Sequence, residues 1–191
     1  MSTEIKTLGL EWIQQFSQAK QEPQWMQDLR VQAWELSQKL PLPYVEKTKI
    51  QRWNLDHFEP YTPAPAISRL QELPEWIQQH LGLEQDSLAE NLLIQKDSSV
   101  VYANLAAEWK EKGVVLCSLE EALQQHEELV KKHFMQKAVR VDENRLTALH
   151  AALWSGGVFL YVPRNVDVEL PVHSLMWSAT AGAGLFPHVL I

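Results

Sequence analysis

The sequence predicts an α+β protein, with helical and mixed elements first and a run of short strands after them. Three observations carry this. Apolar residues recur at three- and four-residue steps through the first forty positions. Between Leu92 and Cys117, β-rich runs alternate with a helical turn. From Val158 to Ile191, short apolar runs follow one another at nearly even spacing with no helical pattern between them, which suits a sandwich, a barrel or a β-helix.

Bulk composition narrows the class. Of 191 residues, 46% are apolar and 21% charged, enough for a real core and unlike a disordered tail. The net charge of −7 speaks against a nucleic-acid backbone as partner. One cysteine can form neither an internal disulfide nor a Cys-rich zinc site, and points to a reducing, cytoplasmic setting. The start, Met1-Ser-Thr-Glu-Ile-Lys6, lacks a basic region followed by an apolar run, so no signal peptide is expected. Residues 170–191 carry no Asp, Glu, Lys or Arg, but Pro171, Gly182, Gly184 and Pro187 make them poor helix. They read as buried strands, and no membrane contact is expected.

The elements follow in order. Ile5, Leu8, Trp12 and Phe16 form one amphipathic helix. Pro23 opens a second, with the stripe Trp25, Leu29, Ala33, Leu36 and Leu40, and Pro41-Leu-Pro43 ends it. Residues 41–67 are a proline-broken loop holding Lys47, Lys49 and Arg52, with Trp53 expected to plug the helical layer. A short helix from Leu73 to Leu81 can stop at Gly82. Leu92–Ile94 and Val100–Tyr102 flank a turn, Ala106–Lys112 is a helical turn closed by Gly113, and Val114–Cys117 is a strand. Ser118-Leu-Glu-Glu121 is a capping box opening a helix toward Phe134. Asp142 or Asn144 caps a helix ending at Gly156-Gly157, with Trp154 buried. Strands are expected at 158–162, 166–172, 175–180 and 188–191.

No catalytic constellation emerges. His150, His173 and His188 lie where a small barrel could gather them, but the His-x-His of a cupin-type metal site is absent. His126 and His133 share a helical face without a third ligand. Cys117 sits in an apolar strand, where burial makes a thiol inert. Gly156-Gly157 and Gly182-Ala-Gly184 fit neither the phosphate-binding loop nor the dinucleotide fingerprint. Glu120-Glu121 and Glu127-Glu128 read as a solvated helix face. No catalytic, cofactor-binding or metal-ligating residue is therefore assigned.

The run Thr147-Ala-Leu-His-Ala-Ala-Leu-Trp-Ser-Gly-Gly-Val-Phe-Leu-Tyr-Val-Pro-Arg-Asn-Val-Asp-Val-Glu-Leu-Pro171, preceded by Phe134-Met-Gln-Lys-Ala-Val139, closely resembles the SufB/SufD family. These are scaffold subunits of the Suf iron–sulfur cluster assembly machinery. Pro41-Leu-Pro43 with Lys49-Ile-Gln-Arg-Trp-Asn-Leu55 looks more like the SufD branch than the SufB branch. The resemblance implies a helical region with a Pro-rich linker over 1–67, a mixed region over 68–155, and the first turns of a right-handed parallel β-helix over 156–191. It implies a non-catalytic scaffold, not an enzyme, that pairs with a SufB-like paralogue and a SufC-like ATPase. The iron–sulfur cluster would be the product of the complex and ATP would be used by the ATPase, with no cofactor held by this chain. Family chains are more than twice this long, so the chain is expected to be cut at Ile191, with partner-binding regions beyond it. Its uncovered strand edge would leave self-association open. The alternatives are a SufB-like paralogue, a cupin-like metal-binding β-barrel enzyme, and a protein–protein module unrelated to iron–sulfur biogenesis.

Overall fold

The computed structural model describes residues 8–55, 57–81, 90–169 and 171–191. Its helical layer starts with α1 (Leu10–Ala19) and α2 (Gln24–Lys39). Ile13 and Phe16 of α1 turn inward, while Ile5, expected on the same stripe, lies outside the described residues. Pro23 directly precedes α2, where its missing N–H costs nothing. The inward face of α2 differs from the expected stripe. Met26, Arg30, Ala33 and Ser37 are buried, whereas Trp25 and Leu29 are only partly covered. The helix is rotated because Arg30 takes the centre of the interface, where a carboxylate and two carbonyls receive it. Counting apolar positions places every arginine outside, and here that rule fails.

The middle of the chain follows its sequence closely. Pro74 precedes α3 (Glu75–Leu81), and the expected stop at Gly82 lies outside the described residues. β1 (Leu92–Lys96) and β2 (Ser99–Asn104) form an antiparallel hairpin. Its turn puts Asp97 at φ 49°, a conformation Asp tolerates better than most residues. α4 (Ala107–Glu111) leads through Gly113 (φ 81°) into β3 (Val115–Ser118). Ser118 Oγ accepts the Glu121 N–H at 3.0 Å, capping α5 (Leu119–Gln125). The helix expected to continue toward Phe134 breaks at His126, whose φ of −132° is not helical, and α6 (Glu127–His133) starts anew. The bend lets Leu123, Val130 and Phe134 reach one core while the His126 ring stacks on Phe159. α7 (Arg145–Leu153) is capped by Asn144, whose side-chain oxygen accepts the N–H groups of Leu146 and Thr147. Asp142 instead pairs with Arg140.

The last third forms β4 (Gly157–Tyr161), β5 (His173–Trp177) and β6 (His188–Leu190). Two three-stranded sheets result, in the orders β2-β1-β5 and β3-β4-β6. β5 lies parallel on β1, and β6 lies parallel on β4. The chain thus leaves one sheet after β4, joins the other as β5, and returns as β6 to stack on its own earlier strand. The strand expected at 166–172 does not form. Pro163 lacks an N–H, its carbonyl accepts from Val166, and Asn165 at φ 65° turns the chain. Val166, Val168 and Val172 still pack against a core, which is the apolar signal the sequence displays. Leu170 lies outside the described residues.

Alternation along β1 divides the interior. Leu92 and Ile94 join Leu70, Leu73 and Ile77, while Leu93 faces Trp109, Val114 and Val158. The largest cluster lies between α1, α2, the α5–α6 bend, α7 and β4, with Trp154 fully buried in it.

Candidate functional site

The densest polar chemistry lies where α7 hands over to β4. Arg30, fully buried, donates through Nε and Nη2 to the two oxygens of Glu22 at 2.7 and 2.6 Å. Its Nη1 and Nη2 also donate to the carbonyls of Ala152 and Trp154, at 2.9 and 3.0 Å. Those carbonyls end α7 and have no helical partner, so an arginine from α2 closes the helix. The guanidinium lies 4.6 Å from the Trp154 ring centroid and 4.9 Å from that of Phe16.

A second polar group holds the following residues. Lys20 Nζ donates to Glu120 Oε1 at 2.7 Å, and the same oxygen accepts the Gly156 N–H at 2.6 Å. Burial pushes the Lys20 ammonium below the ordinary lysine range, against the opposing pull of Glu120. Gln95, buried on β1, accepts the Gly157 N–H at 2.6 Å and donates to the Asp97 carbonyl. Gly156 and Gly157 both have positive φ, 66° and 91°. A Cβ on Gly157 would stand 2.0 Å from the His188 carbonyl oxygen, so only glycine lets β6 lie against β4 there. At the other sheet, Asp97 Oδ1 accepts the N–H groups of Ala179 and Thr180, and its Oδ2 accepts the Thr180 hydroxyl. Burial alone would raise this carboxyl, but these hydrogen bonds outweigh it and hold it below the usual range.

The candidates read from the sequence scatter. His150 Nε2 and His188 Nδ1 meet at 2.9 Å, joining α7 to β6, while His173 is exposed on β5 in the other sheet. Burial drives both paired imidazoles down to about 4, helped by Arg30 for His150 and by His150 for His188. His126 caps the start of α6 with its ring on Phe159, while His133 is exposed at the helix's other end. Among the described residues, no three His, Cys, Asp or Glu side chains gather closely enough to hold a metal ion. Cys117 is buried, and desolvation, with Glu121 nearby, pushes its thiol up to about 12. Glutamates read as solvated have partners elsewhere in the fold: Glu120 holds Lys20 and Gly156, and Glu127 accepts the Trp25 indole N–H at 2.8 Å. Trp53, expected to plug the helical layer, is 54% exposed; the neighbouring Ile50 fills the interior position instead. Arg30 and Glu22, the centre of the junction, escape sequence reading, and the visible signal is only a charged residue on an otherwise workable helical face.

In the other sheet, an open groove of about 610 Å³ lies between β5 and α3, lined by His173–Trp177 and Leu92 on one side and by Trp76 and His80 on the other. The fold and its polar junctions define a module that stacks parallel strands on a helical platform. Comparison with known proteins gives this module its family. The family model described as the SufBD protein N-terminal region matches residues 11–173, and the chain belongs to that family. It is SufD-like: it is 41% identical over 182 residues to the iron-sulfur cluster assembly protein SufD of Bacillus subtilis strain 168, which covers 95% of this chain and 41% of that protein. It is 35% identical over 187 residues to an iron-sulfur cluster assembly SufBD family protein of Staphylococcus aureus strain USA300, covering 94% of this chain and 40% of the relative. The chain therefore spans about two fifths of the length of these relatives.

Proposed function

We propose that this chain serves as the N-terminal part of a SufD-like, non-catalytic scaffold subunit in iron–sulfur cluster assembly. In this reading it acts in the cytoplasm with a SufB-like paralogue and a SufC-like ATPase. The observation that carries the proposal is the family match across residues 11–173, joined by 41% identity to a protein named for cluster assembly. The strand geometry supports it. β4, β5 and β6 visit two sheets in turn, with parallel pairing of β6 on β4, as the first turns of a right-handed parallel β-helix require. The polar groups at the α7–β4 junction hold the end of α7 and the start of β4, which supports the scaffold reading. The cluster is then the product of the complex, ATP is hydrolysed by the partner, and this chain retains no cofactor of its own. Among the described residues no helix is long and apolar enough to cross a membrane.

The test is reconstitution with purified SufB-like and SufC-like subunits, using this chain and a version extended to the length of the relatives. The extended chain should co-elute with both partners as one complex on gel filtration. This chain alone should bind weakly or not at all, since the proposed partner-binding segments belong to the length it does not span. Failure of the extended chain to join either partner overturns the reading.

A further inference from the structure

We propose that the ordered loop from Tyr44 to Trp53 is a docking surface for a carboxylate-rich patch on a protein partner. This surface takes no part in the strand stacking that the scaffold reading uses. Tyr44 is 89% exposed and Trp53 54%, while Ile50 between them is buried. The loop is fixed at its start, where the Arg145 N–H donates to the Pro41 carbonyl at 2.9 Å, and by Ile50 within it. Turns at Thr48→Val45 and Trp53→Ile50 shape the rest, and Lys47 holds φ 62°, a conformation costly for a non-glycine residue. A fixed loop therefore carries two large aromatics outward, with Lys47, Lys49 and Arg52 exposed among them and Glu46 as the single acid.

Tryptophan, tyrosine and arginine are the residue types that dominate binding energy at protein interfaces. Charge selects the partner. The chain as a whole carries −7, yet this loop is locally positive. Screening limits each charge to about 8 Å at physiological ionic strength. An extended polyanion or an anionic bilayer would face the acidic remainder of the molecule as well as the loop. A compact acidic patch on a protein meets the loop alone. That favours a protein partner whose Asp and Glu side chains surround an apolar contact for Trp53.

The test places the photo-crosslinking residue p-benzoylphenylalanine at Tyr44, at Trp53 or at the exposed control position Glu111, in the full-length protein inside cells. Crosslinked peptides are then sequenced by mass spectrometry. Positions 44 and 53 should give adducts to one partner protein, through a peptide with an excess of Asp and Glu. The Lys47→Gln/Lys49→Gln/Arg52→Gln variant should lower the yield at least about tenfold without changing the melting temperature. The charge-conserving Lys47→Arg/Lys49→Arg/Arg52→Lys variant should retain the yield. Adducts to lipid or nucleic acid, peptides without net negative charge, a yield indifferent to the Gln variant, or labelling no stronger than at Glu111 each overturn the proposal.

Discussion

Replacing Arg30 by Ala removes both bonds to Glu22 and both bonds to the carbonyls that end α7. It also strands the Glu22 carboxylate, 4% exposed, with Ser17 as its remaining side-chain donor. Removing one partner of a buried ion pair costs about 3–5 kcal/mol, because the other charge is left in a poor solvent. The two carbonyls add a smaller loss that does not sum simply with the first, so a total of about 4 kcal/mol is expected. Against a stability of about 5–15 kcal/mol for a typical domain, that is a large share. Arg30→Lys keeps the charge but offers one ammonium where a planar fork serves a carboxylate and two carbonyls, so it should recover only part of the loss. The double variant Arg30→Met/Glu22→Leu removes both charges and should be clearly more stable than Arg30→Ala, since apolar replacement of a whole buried pair is often close to neutral. Urea unfolding followed by far-ultraviolet circular dichroism measures all three. A loss under about 1 kcal/mol for Arg30→Ala, or a double variant no more stable than the single, would refute the argument that the ion pair locks α2 to the end of α7.

Four further outcomes are expected. Gly157→Ala should detach β6 from β4 through the clash with the His188 carbonyl, seen as lost hydrogen-exchange protection of the β6 amides while β1 stays protected. Trp154→Ala should cost about 3–5 kcal/mol in urea unfolding, because the ring is fully buried against Phe134. Cys117, with its thiol pushed up to about 12, should resist iodoacetamide at pH 8 in the native protein and react once urea unfolds it. The His150–His188 pair should make the protein acid-labile: both imidazoles sit at about 4 when folded, against an ordinary 6.5, so the unfolded chain binds more protons between those values. Their contribution is present above pH 6.5, fades as the pH falls, and is gone below about 4, up to about 3 kcal/mol for each group. A His150→Gln/His188→Gln variant should flatten that part of the stability-versus-pH curve, and an unchanged slope would exclude the pair as its source.

Local signals were legible wherever backbone chemistry decides the outcome. Ser118 and Asn144 cap the helices their spacing predicts, Gly113 closes a helical turn, and Asp97-Ser98 turns a hairpin. Two readings failed because a partner from elsewhere in the fold overrides a local pattern, and a third because a tight local turn does. Arg30 turned α2 because Glu22 and the end of α7 were waiting for it. His126 broke a helix where its ring stacks on Phe159, distant in sequence. Ile50, and not the larger Trp53, fills the interior, because the turn closed by the Trp53 N–H leaves the indole facing out. The valines at 166, 168 and 172 show a fourth case, in which an alternating apolar pattern marks burial without strand pairing.

The glycine pair at 156–157 joins these threads. Read from sequence, it ends a helix and matches no phosphate-binding fingerprint, so it carries no chemistry. In the fold its two N–H groups are received by Glu120, tied to the end of α1 through Lys20, and by Gln95, which belongs to the other sheet. The start of β4 is therefore positioned by the helical layer and by β1 together, before β6 pairs with it. A strand slipped by one residue turns its whole inward face outward, so a parallel stack needs its first rung fixed. Asp97 does the corresponding work at the far end of β5, receiving the N–H groups of Ala179 and Thr180 while its own N–H donates to the Trp177 carbonyl. The helical layer and β1 together fix the start of the strand on which β6 stacks, so the Gly157 variant tests that stacking and the Arg30 variant tests the packing of α2 on the end of α7.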